Sequence, residues 1–120
     1  MKGNFDEGGR ALLELRVRPS KDAEASPLVV WVDTAFDGEL VIPRDMIGRL
    51  NLSGSAAVHA ILADGTRVVL ESFHCHIEWF GEWREVEVIA NDGKLPLLGV
   101  GLLRGRKLTV DYRSNELDIE

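Results

Sequence analysis

Val29-Val30-Trp31-Val32-Asp33-Thr34-Ala35 is an apolar, β-type run that ends abruptly on a carboxylate. A buried, unpaired charge costs several kcal/mol, so an acid directly behind four large apolar residues has a specific partner or marks where the strand stops to present it. Thr34, Ala35, Phe36 and the turn pair Asp37-Gly38 follow, and a second apolar run, Leu40-Val41-Ile42, closes on Pro43. The sequence has built a small carboxylate-presenting loop between two strands.

Outward from this loop the chain reads as short strands. Leu28 to Val32 is apolar throughout, as expected of a strand covered on both faces. Before it, Leu13-Glu14-Leu15-Arg16-Val17-Arg18 alternates strictly, the mark of a half-buried strand. After it, Pro43-Arg44-Asp45-Met46-Ile47-Gly48-Arg49-Leu50 is the best helix candidate, with Pro43 at the first helical position and Met46, Ile47 and Leu50 on one face. Ala57 to Leu62 and Thr66 to Leu70 flank Ala63-Asp64-Gly65, a hairpin signal. Phe73 to Trp79 and Val86 to Ala90 predict another hairpin, turning at Gly81. Leu97-Leu98-Gly99-Val100-Gly101-Leu102-Leu103 is apolar and punctuated by glycine. The chain finishes with Lys107 to Tyr112, a turn, and a last strand from Glu116 to Ile119. Many short strands with regular turn signals and one or two short helices predict an all-β fold, a closed barrel. Residues 1–10, glycine-rich and polar, read as a flexible arm, and residues 11–120 as one domain.

The composition narrows the function. The 120 residues carry 20 acidic and 14 basic side chains, a formal charge of −6, which disfavours a nucleic-acid partner. The short basic cluster of Arg104, Arg106 and Lys107 reads as a solvated helix end or loop. One cysteine excludes an intrachain disulfide and suits a reducing compartment. Cys75 lies on the same strand face as Phe73, Ile77 and Trp79, which predicts a packed, inert thiol. Residues 1–10 have no apolar core of the kind a signal peptide carries and no run reaches membrane-spanning length, so a cytoplasmic protein with no membrane partner is expected.

Other polar residues have plainer readings. His74 and His76 share a strand face, but a metal site needs three or four ligands and only Glu78 and His59 could add to them, so a solvated face is expected and no metal. Trp31, Trp79 and Trp83 read as core or sheet-face packing. Ser53 and Ser55 lack a nearby base. Asp111 follows Leu108-Thr109-Val110 but has no glycine turn to present it. Asp33 taken alone fits an Asx turn, and Asp37-Gly38 and Asp64-Gly65 are first of all turn formers.

Taken in order, Val32-Asp33-Thr34-Ala35 behind an apolar strand, Gly38-Glu39-Leu40-Val41-Ile42-Pro43, the Ala63-Asp64-Gly65 hairpin tip and Leu97-Leu98-Gly99 before a short helical turn resemble the retropepsin-like (clan AA) aspartic proteases, in particular the small bacterial ones. The resemblance runs from about Leu13 to Ile119. It implies that Asp33 is the catalytic aspartate, that Thr34 braces a dimer interface, and that the Ala35 N–H supports the carboxylate where relatives commonly carry Gly. It implies that Asp37 binds substrate backbone, that Asp64 and Gly65 tip a flap, and that Leu98 and Gly99 pack beneath the loop. One chain offers one such triplet, so the resemblance implies a homodimer with one Asp33 from each subunit on a two-fold axis. The implied activity is endopeptidase cleavage of a peptide or protein substrate without cofactor. The alternative is a non-catalytic dimer of the same fold that binds a peptide or protein partner.

Overall fold

The computed structural model describes residues 1–120, residues 55 and 56 only by their place in a strand. Among the described residues the elements run β1 (Lys2–Phe5), β2 (Ala11–Arg18), β3 (Ser26–Val32), β4 (Leu40–Pro43), α1 (Arg44–Leu50), β5 (Ser53–Ile61), β6 (Arg67–Trp79), β7 (Glu82–Asn91), β8 (Leu97–Leu98), α2 (Val100–Leu103), β9 (Leu108–Asp111) and β10 (Glu116–Ile119). The protein is mostly β. Neither helix is long and apolar enough to cross a membrane.

The alternation in β2 does what its period dictates. Ala11, Leu13, Leu15 and Val17 are buried while Glu14 and Arg16 face outward. β3 departs from the expectation of a strand covered on both faces. Leu28, Val30 and Val32 are buried, but Val29 is 44% and Trp31 38% exposed. β3 pairs antiparallel with β2, and its apolar run has one partly wet face. The Arg10 guanidinium stands 5.3 Å from the Trp31 ring and covers part of it.

Strand pairing runs β5-β6-β7-β4-β8-β3-β2-β1-β10-β9, and β2 also pairs with β6. The strands from β6 round to β2 therefore form a ring whose interior holds the core. Val30, Leu40, Ile42, Cys75, Ile77, Val88, Ala90, Leu98 and Ile119 are fully buried in it. Each leucine or isoleucine so enclosed contributes about 1.5–3 kcal/mol relative to an exposed position. The β4–β7 and β3–β8 pairs are parallel, whereas β4–β8 is antiparallel. The short β8 thus lies between β3 and β4, the two strands that flank the Asp33 loop.

Three local expectations shift. Pro43 caps α1 from outside rather than opening it, and closes β4 as a buried residue. The strands expected at 66–70 and 73–79 merge into one, β6 (Arg67–Trp79), because its outer end pairs with β5 and its inner end with β7. Residues 1–10, read as a flexible arm, carry β1, which pairs with β10 on one side and β2 on the other. Met1 ties down that end: its amino group donates to Asp118 Oδ1 (3.2 Å) and to the Ile119 carbonyl (2.7 Å).

Candidate functional site

Asp33 is the first residue beyond β3, and its position is set by backbone bonds. Its N–H donates to the Leu98 carbonyl at 2.8 Å, continuing the β3–β8 ladder one residue past the strand. Its Oδ1 accepts the Ala35 N–H at 2.9 Å, and its carbonyl accepts the Phe36 N–H at 3.3 Å. Ala35 is not among the non-glycine residues with positive φ, which are Asn51, Phe80 and Asn115 among the described residues. The alanine methyl therefore carries no left-handed backbone strain. Asp33 is half-buried and Thr34 and Ala35 are exposed. Trp31, Val32, Asp33 and Thr34 line a hollow of about 290 Å³.

The rest of the loop is clamped by α2. The Val100 and Gly101 N–H groups, orphan donors of that short helix, donate to the Phe36 and Gly38 carbonyls at 2.8 and 2.9 Å. The Gly99 N–H donates to the Glu39 carbonyl at 2.9 Å. This packing leaves no room beside Gly99: a Cβ there would meet Gly38 O and Phe36 Cδ2 at 2.3 and 2.4 Å. Leu98 and Gly99 thus lie directly under the loop, and glycine at 99 is required by close backbone approach. Asp37 is exposed on the loop's outer rim.

The β5–β6 hairpin carries Asp64 and Gly65 at its tip. Asp64 Oδ1 accepts the Thr66 N–H at 2.9 Å, and the Leu62 N–H donates to the Thr66 carbonyl at 2.8 Å. Hydrogen bonds from Thr66 hold the Asp64 carboxyl below the usual carboxylate range. Gly65 adopts φ +86°, a conformation in which its lack of Cβ matters. Ile61 (70% exposed) and Val69 (61%) stand bare on this hairpin.

The remaining sequence candidates lie apart from the loop. Cys75 is fully buried, and burial, then the charge of Glu39, pushes its thiol up to about 12. His76 and Glu78 are engaged separately, with Glu85 (3.7 Å) and Arg16 (3.2 Å). Their face is half-exposed; Trp83 stands across from Glu78, with Arg18 stacked 3.9 Å from its ring. Asp111 is an Asx-turn acceptor for Arg113 and Ser114. An apolar hollow of about 320 Å³ between α1 and Leu95-Pro96 is bordered by Arg49, which is paired to Asp45 at 3.1 Å.

Sequence reasoning missed Glu39. Its Oε2 accepts from Arg84 at 3.0 Å and its Oε1 from the Glu87 N–H at 2.9 Å. These partners lie 45 and 48 residues away, so only an acid in an otherwise apolar loop stem could have hinted at them.

The architecture matches solved structures over most of the chain. A retropepsin-like aspartic protease from Rickettsia conorii aligns over 98% of this chain and 86% of its own, at 14% identity and a TM-score of 0.66. EIAV protease complexed with the inhibitor HBY-793 aligns over 88% of this chain and 97% of its own, at 21% identity and a TM-score of 0.59. The retroviral protease-like domain of Ddi1 from Leishmania major aligns over 91% and 94%, at 11% identity and a TM-score of 0.52. The chain has a retropepsin-like fold. Its sequence matches no protein-family model and none of the curated proteins.

Proposed function

We propose that this chain is one protomer of a homodimeric aspartic endopeptidase. The observation that carries the reading is the Asp33 loop: at the end of a core strand the Asp33 N–H is held by the Leu98 carbonyl and its carboxylate accepts the Ala35 N–H beside an open hollow. Thr34 is exposed next to it, free to brace a second subunit across a two-fold axis.

Two such carboxylates, one per subunit and about 3 Å apart, cannot both ionise and share one proton. The charged Asp33 takes a proton from a bound water as that water attacks the scissile carbonyl. The protonated Asp33 donates to the carbonyl oxygen as it gains charge, and a proton then passes to the departing amine. The Ala35 N–H holds the carboxylate in orientation from below. The β5–β6 tip, with Asp64 and Gly65, closes over an extended peptide, and Asp37 contacts its backbone; strand-like substrates suit such a groove. The reaction uses no cofactor, and the lone buried thiol of Cys75 suits a cytoplasmic setting.

One observation favours a second reading, a peptide-binding dimer without turnover. The Asp33–Ala35 hydrogen bond has the same span and length as Asp64–Thr66, an ordinary Asx turn. Wild-type and Asp33→Asn proteins, incubated with a diverse peptide library from about pH 4 to pH 7, separate the two. Cleavage by the wild type alone supports the peptidase. Binding of peptides by both proteins, with cleavage by neither, supports the binding module.

A further inference from the structure

Glu39 sits where the Asp33 loop rejoins the sheet. In the parallel β4–β7 ladder Leu40 stands opposite Val88. One residue earlier the Glu39 carbonyl faces β8 and accepts the Gly99 N–H, and the Gly38 carbonyl, next in line for β7, is taken by the Gly101 N–H. The Glu87 N–H on β7 would then lack a ladder partner, and the Glu39 side chain supplies one, accepting with Oε1 at 2.9 Å. The other oxygen is held by the Arg84 guanidinium at 3.0 Å. Arg84 ends the core-facing row that runs on through Val86 and Val88. Glu39 therefore reaches β7 with its carboxylate and α2 with its backbone, and the loop carrying Asp33 is strung between those anchors. The Gly101 position is close as well, where a Cβ would lie 3.1 Å from Glu39 Cγ.

We infer that Glu39, gripped by Arg84 and the Glu87 amide, is the positioning residue that fixes the stem of the Asp33 loop. Its catalytic consequence rests on the reading of Asp33 as the catalytic aspartate; its structural consequence does not. The carboxylate does not touch the hollow beside Asp33. It acts through the hydrogen bonds of Gly99 and Gly101, which hold Glu39 and Gly38 and so set the curvature of residues 34–38. Misplacing a reacting group by about 1 Å can lower turnover roughly 10²-fold while leaving substrate binding nearly intact.

Glu39→Ala, Glu39→Gln and Arg84→Gln test this, each read by steady-state kinetics on a peptide that the wild type cleaves and by residue-resolved amide hydrogen exchange. Glu39→Ala is expected to lower kcat roughly 10²-fold with KM within about twofold. Glu39→Gln still offers an acceptor to the Glu87 N–H and is expected to recover most of that loss, with Arg84→Gln between the two. Exchange at Gly99 and Gly101 should quicken about tenfold in Glu39→Ala, with Leu15 and Ile77 unchanged. Unchanged exchange at Gly99 and Gly101 overturns the inference. So does a rise in KM alone, which would make Glu39 a substrate contact. Equal quickening at Leu15 and Ile77 overturns it too, by showing a general loss of stability. If Glu39→Ala fails to fold, the contrast of wild-type-like exchange in Glu39→Gln with quickened Gly99 exchange in Arg84→Gln decides instead. A wild type that cleaves nothing defeats the peptidase reading, and the exchange comparison still decides the role of Glu39.

Discussion

The Asp33 loop and the Asp64 hairpin tip are built from the same local chemistry and end as different objects. Each aspartate accepts, with Oδ1, the N–H two residues on, at 2.9 Å in both places. At the tip the other bonds are also internal: Leu62 with Thr66, and Gly65 with Leu62. Nothing lies within 4 Å of where a Gly65 side chain would project. The Asp33 loop is instead bonded to Leu98 behind it and to Gly99, Val100 and Gly101 beneath it. An Asx turn is therefore not what makes a carboxylate a candidate catalyst. The difference lies in anchoring to the ring of strands, which gives one aspartate a fixed direction and leaves the other on a projecting arm.

Exchanging the two acids is the sharpest way to break this comparison. Asp33→Asn keeps an acceptor for the Ala35 N–H but removes the shared proton, and it should lower peptide cleavage by about 10²–10⁴-fold or more with little change in melting. Asp64→Asn keeps an acceptor for the Thr66 N–H and should lower cleavage far less, since no proton is exchanged there. Comparable losses in the two variants, measured as kcat/KM, would erase the distinction.

The glycines give the next largest contrast. Gly99→Ala pushes a methyl to 2.3 Å from the Gly38 carbonyl oxygen, a backbone atom that cannot rotate aside. Such overpacking should destabilise by roughly 3 kcal/mol or more in denaturant unfolding. Gly65→Ala meets no atom but keeps a φ of +86°, and should cost only about 1–2 kcal/mol, confined to the tip.

Acid gives a smaller effect. Hydrogen bonds from Thr66 lower the Asp64 pKa in the folded chain. The stabilisation they supply is complete above the ordinary carboxylate pKa and is lost as pH falls through the depressed folded value. Below that point the Thr66 amide should face a weaker, neutral acceptor, seen as a shift of its NMR resonance, while the Gly99 amide, which bonds to a backbone carbonyl, stays put. Cys75 supplies the smallest signal: with its thiol pushed up to about 12, alkylation near neutral pH should proceed only as fast as the core opens.

Much of the fold was legible because the strands carry their own periods. The buried rows of β2 and β6, the Asp-Gly tip and the Leu-Leu-Gly turn follow from side-chain alternation and turn chemistry, which are local. The outer face of β3 departs from the expectation because Val29 and Trp31 are as apolar as the core residues beside them, and which face is covered is decided by tertiary packing rather than by composition. The polar stretch at residues 1–10 looked like a loose arm because pairing with β10 and β2 supplies order that composition does not encode.

By itself, then, the sequence determined that a carboxylate would stand where an apolar strand ends, and that a glycine-punctuated turn would follow later in the chain. Tertiary structure alone decided that Leu98 would hold its backbone, that Gly99 would have no room for a side chain, and that Glu39 would reach Arg84 and Glu87. The physical reason is range. Turn and strand preferences are settled by neighbours a few residues away, whereas these contacts exist only once the ring of strands has closed and brought distant backbone groups within hydrogen-bonding distance.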